Sequence, residues 1–318
     1  MLLDVVWIAV GLAGLFFGGN WLVKGAARLA QTLGLSPIVI GLTIVAYGTS
    51  MPELLVSLQA ALGGNADISM GNVVGSNIAN IGLIIGASAL IFPMFVQLQF
   101  LNREIPIMIG VSLLLFALAG DGQISQLDGL LFMAGAIGYT AFSYLMAKRE
   151  SPELLRQTQE FTAVIAKPTN RLLNDLFLVG IGIVVLLFGS DRLVLGAVNI
   201  AEALGVPQIV IGITLVAVGT SLPELATSVI AAFKRESEIA IGNVVGSNIF
   251  NILAILGIAG TIIPINVNPR LLQIDMFVMI GFAVVLLIFC LNRRISRPEA
   301  LVLLGAYTAF TIYTFLPR

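Results

Sequence analysis

Residues 41–82 read GLTIVAYGTSMPELLVSLQAALGGNADISMGNVVGSNIANIG, and residues 212–253 read GITLVAVGTSLPELATSVIAAFKRESEIAIGNVVGSNIFNIL. The two stretches align without a gap and are identical at 24 of 42 positions. Shared apolar composition does not explain this, because 14 of the 24 identities fall on Gly, Thr, Ser, Pro, Glu and Asn. The same offset of 171 residues pairs Asp4 with Asp175, Gly18 with Gly189, Gly25 with Gly196, Ser125 with Ser296 and Asp128 with Glu299. The chain is therefore a duplication along its whole length, and its first apolar run has a counterpart at the head of the second half. That counterpart, and the lack of a basic segment before Lys24, argue for a membrane span there rather than a signal peptide.

Composition fixes the solvent. Of 318 residues, 58% are hydrophobic and only 10% charged, whereas charged residues make up about a quarter of a globular chain. Apolar runs of about 20 residues recur, the length that crosses a bilayer. They fall at 3–23, 37–62, 68–92, 104–120, 127–147, 173–194, 207–233, 239–263, 273–291 and 299–316. The expected fold is an all-α polytopic membrane protein of ten transmembrane helices. It divides into a first five-helix repeat, 1–147, a linker, 148–172, and a second five-helix repeat, 173–318. Five is odd, so the second repeat enters the membrane inverted relative to the first. This plan recurs in secondary transporters, which place their substrate site at the midplane between the halves. With the 148–172 loop cytoplasmic, thirteen of the sixteen Lys and Arg residues lie inside and only Arg192, Arg270 and Arg318 outside. The positive-inside rule then puts both termini outside a plasma (inner) membrane.

Several functions are excluded at this stage. The chain has no histidine, which removes Ser-His-Asp and Cys-His catalysis and histidine metal sites. Its single cysteine, Cys290, forms no internal disulfide. A net charge of −1 offers nucleic acid no basic face. Neither a cofactor nor an obligatory protein partner is implied.

Two motifs carry the chemistry. GTSMPE at 48–53 recurs as GTSLPE at 219–224. A proline inside a helix leaves the carbonyl four residues back without its donor, here that of Gly48 or Gly219. At membrane depth such a break needs protein or a water-lined cavity to satisfy the freed groups. A charged residue at a helix centre costs about 2.5–3.5 kcal/mol on insertion scales, so Glu53 and Glu224 point to function. No Lys or Arg stands deep in a span to pair with them, and two facing carboxylates call for a hard cation. The second motif is GNVVGSNIAN at 71–80, recurring as GNVVGSNIFN at 242–251. Ser76, Asn80, Ser247 and Asn251 are read as ligands. For Asn72, Asn77, Asn243 and Asn248, ligation and interhelical packing both remain open.

Together the motifs, in two inverted copies, resemble the α-repeats of the cation/Ca²⁺ exchanger superfamily, and most closely its prokaryotic Na⁺/Ca²⁺ exchanger branch. The resemblance covers essentially the whole chain. It implies a site centred on Glu53 and Glu224, joined by Thr49, Ser50, Ser76, Asn80, Thr220, Ser221, Ser247 and Asn251. Backbone oxygens near Ala46 and Ala217 complete it. It also implies that the first and sixth spans slide across the others to switch access. Some family members carry Asp where Asn251 stands, so this chain offers two formal charges at most. The expected function is antiport of Ca²⁺ against Na⁺ across the lipid bilayer, with both ions as substrates. The alternative is a Ca²⁺/H⁺ or other cation/H⁺ antiporter on the same scaffold. A cation channel is disfavoured because channels usually build their pores by subunit symmetry.

Overall fold

A computed structural model describes residues 2–147, 172–205 and 217–315. The 148–171 part of the linker and the opening of the seventh span, 206–216, lie outside the described residues. Helices make up nearly all of the rest. In chain order they are α1 (Leu2–Leu33), α2 (Pro37–Thr49), α3 (Met51–Leu62), α4 (Ala66–Ile91), α5 (Phe100–Asp121), α6 (Gln126–Ala147) and α7 (Leu172–Ala203). They continue with α8 (Ala217–Thr220), α9 (Leu222–Phe233), α10 (Ser237–Ile262), α11 (Leu271–Cys290) and α12 (Arg297–Phe315). Among the described residues seven helices are long and apolar enough to cross a bilayer. The α2–α3 pair, bent by 48°, makes an eighth if it counts as one span.

Each bend follows from its proline. Pro52 and Pro223 sit in the first turns of α3 and α9, where a missing N–H costs nothing. The residues before those turns, Ser50 (φ −83°, ψ 12°) and Ser221 (φ −89°, ψ 6°), leave helical geometry. The helices therefore break at the two serines, between the threonine and the glutamate of each motif.

Burial separates the helices into layers. The best window of α10 is wholly buried and that of α4 two-thirds buried, whereas α1, α6 and α7 keep most of theirs exposed. A helix apolar on all sides and enclosed by protein is a core element; one that exposes leucines and phenylalanines is facing lipid. Helices α4 and α10 thus form the centre. At 32 residues each, α1 and α7 are longer than the 3–23 and 173–194 runs suggested. Helix α1 continues past Lys24 and Arg28, and α7 past Asn199 and Glu202, beyond the ends of the apolar runs. A 32-residue helix spans about 48 Å, more than a bilayer core of about 30 Å, so both must tilt or protrude.

Contacts between the halves come in pairs that the 171-residue offset exchanges. A Cβ on Gly18 would lie 2.6 Å from the Leu186 nitrogen, and one on its counterpart Gly189 would lie 2.7 Å from the Leu15 nitrogen. Only glycine lets α1 and α7 approach this closely. Two short antiparallel ladders obey the same rule. Strand β1 (Met94–Phe95) pairs with β4 (Arg294–Ile295), and β2 (Gln123–Ile124) with β3 (Ile265–Asn266). The registers Met94↔Ile295 and Ile124↔Ile265 map onto each other under the offset.

Candidate functional site

The breaks at Ser50 and Ser221 face the buried middles of α10 and α4. Glu53 and Glu224 are each 1% exposed, and Ser50, Ser76, Asn80, Thr49, Thr220, Ser221, Ser247 and Asn251 are all buried. Hydrogen bonds cross between the repeats. Ser50 donates to Glu224 Oε1 at 2.8 Å, and its oxygen lies 3.0 Å from the Ser247 hydroxyl. In mirror fashion Ser221 donates to Glu53 Oε1 at 3.0 Å and lies 3.5 Å from the Ser76 hydroxyl. Each carboxylate is therefore oriented by a serine of the other half, one helix break serving the opposite motif.

One oxygen of each acid is spoken for; the other is not. Glu53 Oε2, Glu224 Oε2, Asn80 Oδ1 and Asn251 Oδ1 are buried without a hydrogen-bond partner. A buried unpaired acceptor costs roughly 1–3 kcal/mol, and more when charged. Four of them, two from each repeat and related in pairs by the 171 offset, are hard oxygens of the kind that could hold a cation.

Local backbone irregularity helps. The helices α4 and α10 widen to π geometry at Asn80–Ile85 and Asn251–Leu256, so both asparagines stand at the first residue of a π segment. Such bulges re-aim side chains and loosen the carbonyl ladder. Ala46 is fully buried and its carbonyl accepts the Ser50 N–H at 3.0 Å; Ala217 opens the short α8. The carbonyl freed by Pro223, that of Gly219, is taken by the Ser190 hydroxyl of α7 at 2.8 Å. Gly19 stands at the equivalent place in α1 and has no hydroxyl to offer Gly48.

The asparagines left open by the sequence are not alike. Asn72 reaches the Glu53 carbonyl (3.2 Å) and Ser57 (2.9 Å), while Asn243 reaches the Glu224 carbonyl (3.4 Å) and Ser228 (3.0 Å). Both brace the glutamate helices through their amide nitrogens. Asn243 Oδ1 also lies 3.1 Å from the Thr49 hydroxyl. Asn77 and Asn248 bond to each other's backbone. Sequence reasoning missed Ser190 and two further buried acids. Glu104 is held by Tyr139 at 2.8 Å and by Arg103 at 2.6 Å, and Asp175 accepts from Thr32 at 2.8 Å. They lie at span ends, where apolar run-reading gives no signal.

A cavity of about 200 Å³ leads toward Ser76 and Ser221 between α4, α9 and α12; its walls include Ala79, Val218, Tyr307 and Phe310. The offset maps Val218 onto Tyr47 and Ala79 onto Phe250. There the equivalent space is filled: the Tyr47 and Phe250 rings lie 4.4 Å apart, and Tyr47 hydrogen-bonds Thr140. Two symmetric halves thus build one open approach and one aromatic plug.

Comparison with known proteins gives the family. A family model described as sodium/calcium exchanger protein matches residues 3–145 and 175–316, and the chain belongs to that family. It is 40% identical to CaxA of Alkalimonas amylolytica, with 99% of each chain covered. It is 37% identical to the sodium/calcium exchanger MaX1 of Methanosarcina acetivorans, with 97% of each covered. Among solved structures it superposes on the sodium-calcium exchanger NCX_Mj soaked with Na⁺ and Ca²⁺, with a TM-score of 0.85 and 32% identity over 100% of both chains. The protein is accordingly a multi-pass membrane cation antiporter, and its relatives are exchangers rather than enzymes.

Proposed function

We propose that this chain exchanges Ca²⁺ for Na⁺ by alternating access, through one midplane site built from Glu53, Glu224 and the Thr, Ser, Asn and backbone oxygens around them. The scaffold is ten transmembrane helices in two inverted five-helix repeats, 1–147 and 173–318, joined by a cytoplasmic linker at 148–172. The observation that carries the reading is the set of four buried, partnerless oxygens on Glu53, Glu224, Asn80 and Asn251. The relatives named as sodium/calcium exchangers support the choice of ions.

Charge counting turns the site into an exchanger. Two carboxylates balance one Ca²⁺ or two Na⁺, and the ring contributes no further formal charge. With Ca²⁺ bound, Na⁺ meets no net attraction in a low-dielectric setting, so the ions compete. An empty site would bury two bare carboxylates when the helices close over it, which disfavours the switch without cargo. Each passage of one ion is thereby tied to the return of the other.

The test is Ca²⁺ uptake into proteoliposomes containing only this protein, at clamped pH and voltage. Internal Na⁺ should drive uptake, and external Na⁺ should raise the Ca²⁺ half-saturation concentration. Replacing Glu53 or Glu224 by Gln removes one carboxylate from a buried ion pair, a loss of about 3 kcal/mol or more. Uptake should fall at least ~100-fold while the variants still fold. Uptake that ignores Na⁺ and follows an imposed pH gradient would transfer the site to proton antiport.

A further inference from the structure

Behind Asn80 and Asn251 lies a second pair of asparagines, and its hydrogen bonds have a forced direction. The side-chain nitrogen of Asn77 donates to the Asn248 carbonyl at 3.2 Å and lies 3.7 Å from the Met279 sulfur. That of Asn248 donates to the Asn77 carbonyl at 3.3 Å and lies 3.5 Å from the Met108 sulfur. Carbonyls and thioethers only accept, so each amide must turn its NH₂ toward them and its oxygen away. That leaves Asn248 Oδ1 to accept from Asn80 Nδ2 at 2.9 Å, and Asn77 Oδ1 to accept from Asn251 Nδ2 at 3.0 Å. With their nitrogens held, Asn80 and Asn251 have one choice left. Their oxygens point the other way, and those are the two amide oxygens buried without a partner. A flipped amide would aim N–H groups at the place where a cation sits and put two oxygens face to face behind it.

We infer that Asn77 and Asn248 are positioning residues for ion binding, an amide lock that keeps the Asn80 and Asn251 oxygens turned toward the ion. The lock is crossed: Asn248 orients Asn80 and Asn77 orients Asn251, so each repeat sets the ligand of the other. All four side chains are at most 2% exposed, so water does not replace a lost partner. The inference rests on the reading of Glu53, Glu224, Asn80 and Asn251 as the ion site, and assigns Asn77 and Asn248 no contact with the ion.

The experiment is equilibrium binding of ⁴⁵Ca²⁺ to purified protein, arranged as double-mutant cycles. Asn248→Leu should weaken Ca²⁺ binding about tenfold, equivalent to ~1.4 kcal/mol. In an Asn80→Ala background the same change should have no further effect, because the amide it orients is gone. In an Asn251→Ala background it should still cost its full tenfold. A residue that merely supports the helices would lower thermal stability and act equally in both backgrounds, and that result would overturn the lock. Should Asn248→Leu not fold, Asn248→Ser, which also lacks the amide acceptor, runs the same cycles. Failure of the unsubstituted protein to bind Ca²⁺ would overturn the site reading and this inference with it. Normal binding with additive cycles would overturn this inference alone.

Discussion

A single carboxyl at the edge of the fold shows how burial alone sets a pH response. Glu236 lies between α9 and α10, just before the first residue of α10, and is 6% exposed. Burial pushes its carboxyl up to about 7, with the Lys234 ammonium pulling the other way. A carboxyl raised above its ordinary range favours the folded state when protonated. That stabilisation is complete at acid pH and lost as pH rises through about 7. Glu236→Gln stays neutral throughout. Its thermal midpoint in detergent should match that of the unsubstituted protein near pH 4 and lie higher at pH 8, the stability difference being at most about 3 kcal/mol. Equal pH dependence of the two proteins would show that the carboxyl is ionised in the fold. The candidate site residues were legible in the sequence because an acid deep in an apolar run has few structural uses and both motifs occur twice. Glu236 was not, since an acid among Lys234, Arg235 and Glu238 reads as an ordinary polar turn.

Between elements, the departure from symmetry carries the consequence. The breaks after Gly48 and Gly219, the π segments at Asn80 and Asn251 and the glycine seam of α1 against α7 all obey the 171 offset. The approaches to the site do not. Val218 and Ala79 leave about 200 Å³ open, whereas Tyr47 and Phe250 fill the equivalent space. An aromatic pair contributes roughly 0.5–1.5 kcal/mol beyond its buried area, a bias of a few-fold toward keeping that space filled. Installing the pair in the open passage, as Ala79→Phe with Val218→Tyr, should close it. A cysteine at Thr314 on the cavity wall, with Cys290 replaced by Ala, should then react with a water-soluble thiol reagent about tenfold more slowly. An unchanged rate would mean that the rings merely fill space. Most described spans were readable to within a few residues because apolar runs end where loops begin, but α1 and α7 run on to Leu33 and Ala203, well past the apolar runs that announced them. The unequal approaches were not, because Tyr47 and Phe250 sit in helices where any large apolar residue would satisfy the pattern. Their meaning comes only from which residues they touch.

For the whole molecule, a prediction of direction across the membrane follows from where the basic residues gather. Lys234 donates to the Asn20 carbonyl of α1 at 3.0 Å. Arg235 stacks on Phe92 and Arg294 on Phe95, while Arg297 reaches the Leu90 carbonyl at 3.1 Å. The Arg293 carbonyl accepts the Val96 N–H. These contacts join the ends of α4, α9 and α11 and the start of α12 at one pole, with α1 held there through Asn20. The opposite pole holds the β2–β3 ladder, with Gln123, Asn266 and Arg270 nearby. By the positive-inside rule we predict that the first pole is the inner one. Helix α12 starts at that pole, which is then expected to put the C-terminus outside, and an even number of spans is expected to put the N-terminus there with it. Exposed positions at each pole make the test direct. In a Cys290→Ala background, Asn292→Cys should label with an impermeant thiol reagent only from the cytoplasmic side, as should Thr169→Cys in the linker. Gln123→Cys should label only from the outside. If Asn292→Cys and Gln123→Cys labelled from the same face, the two ladders would not lie at opposite surfaces and the inverted arrangement would fail. If all three labelled from reversed sides, the arrangement would stand and the basic residues would have misjudged its direction.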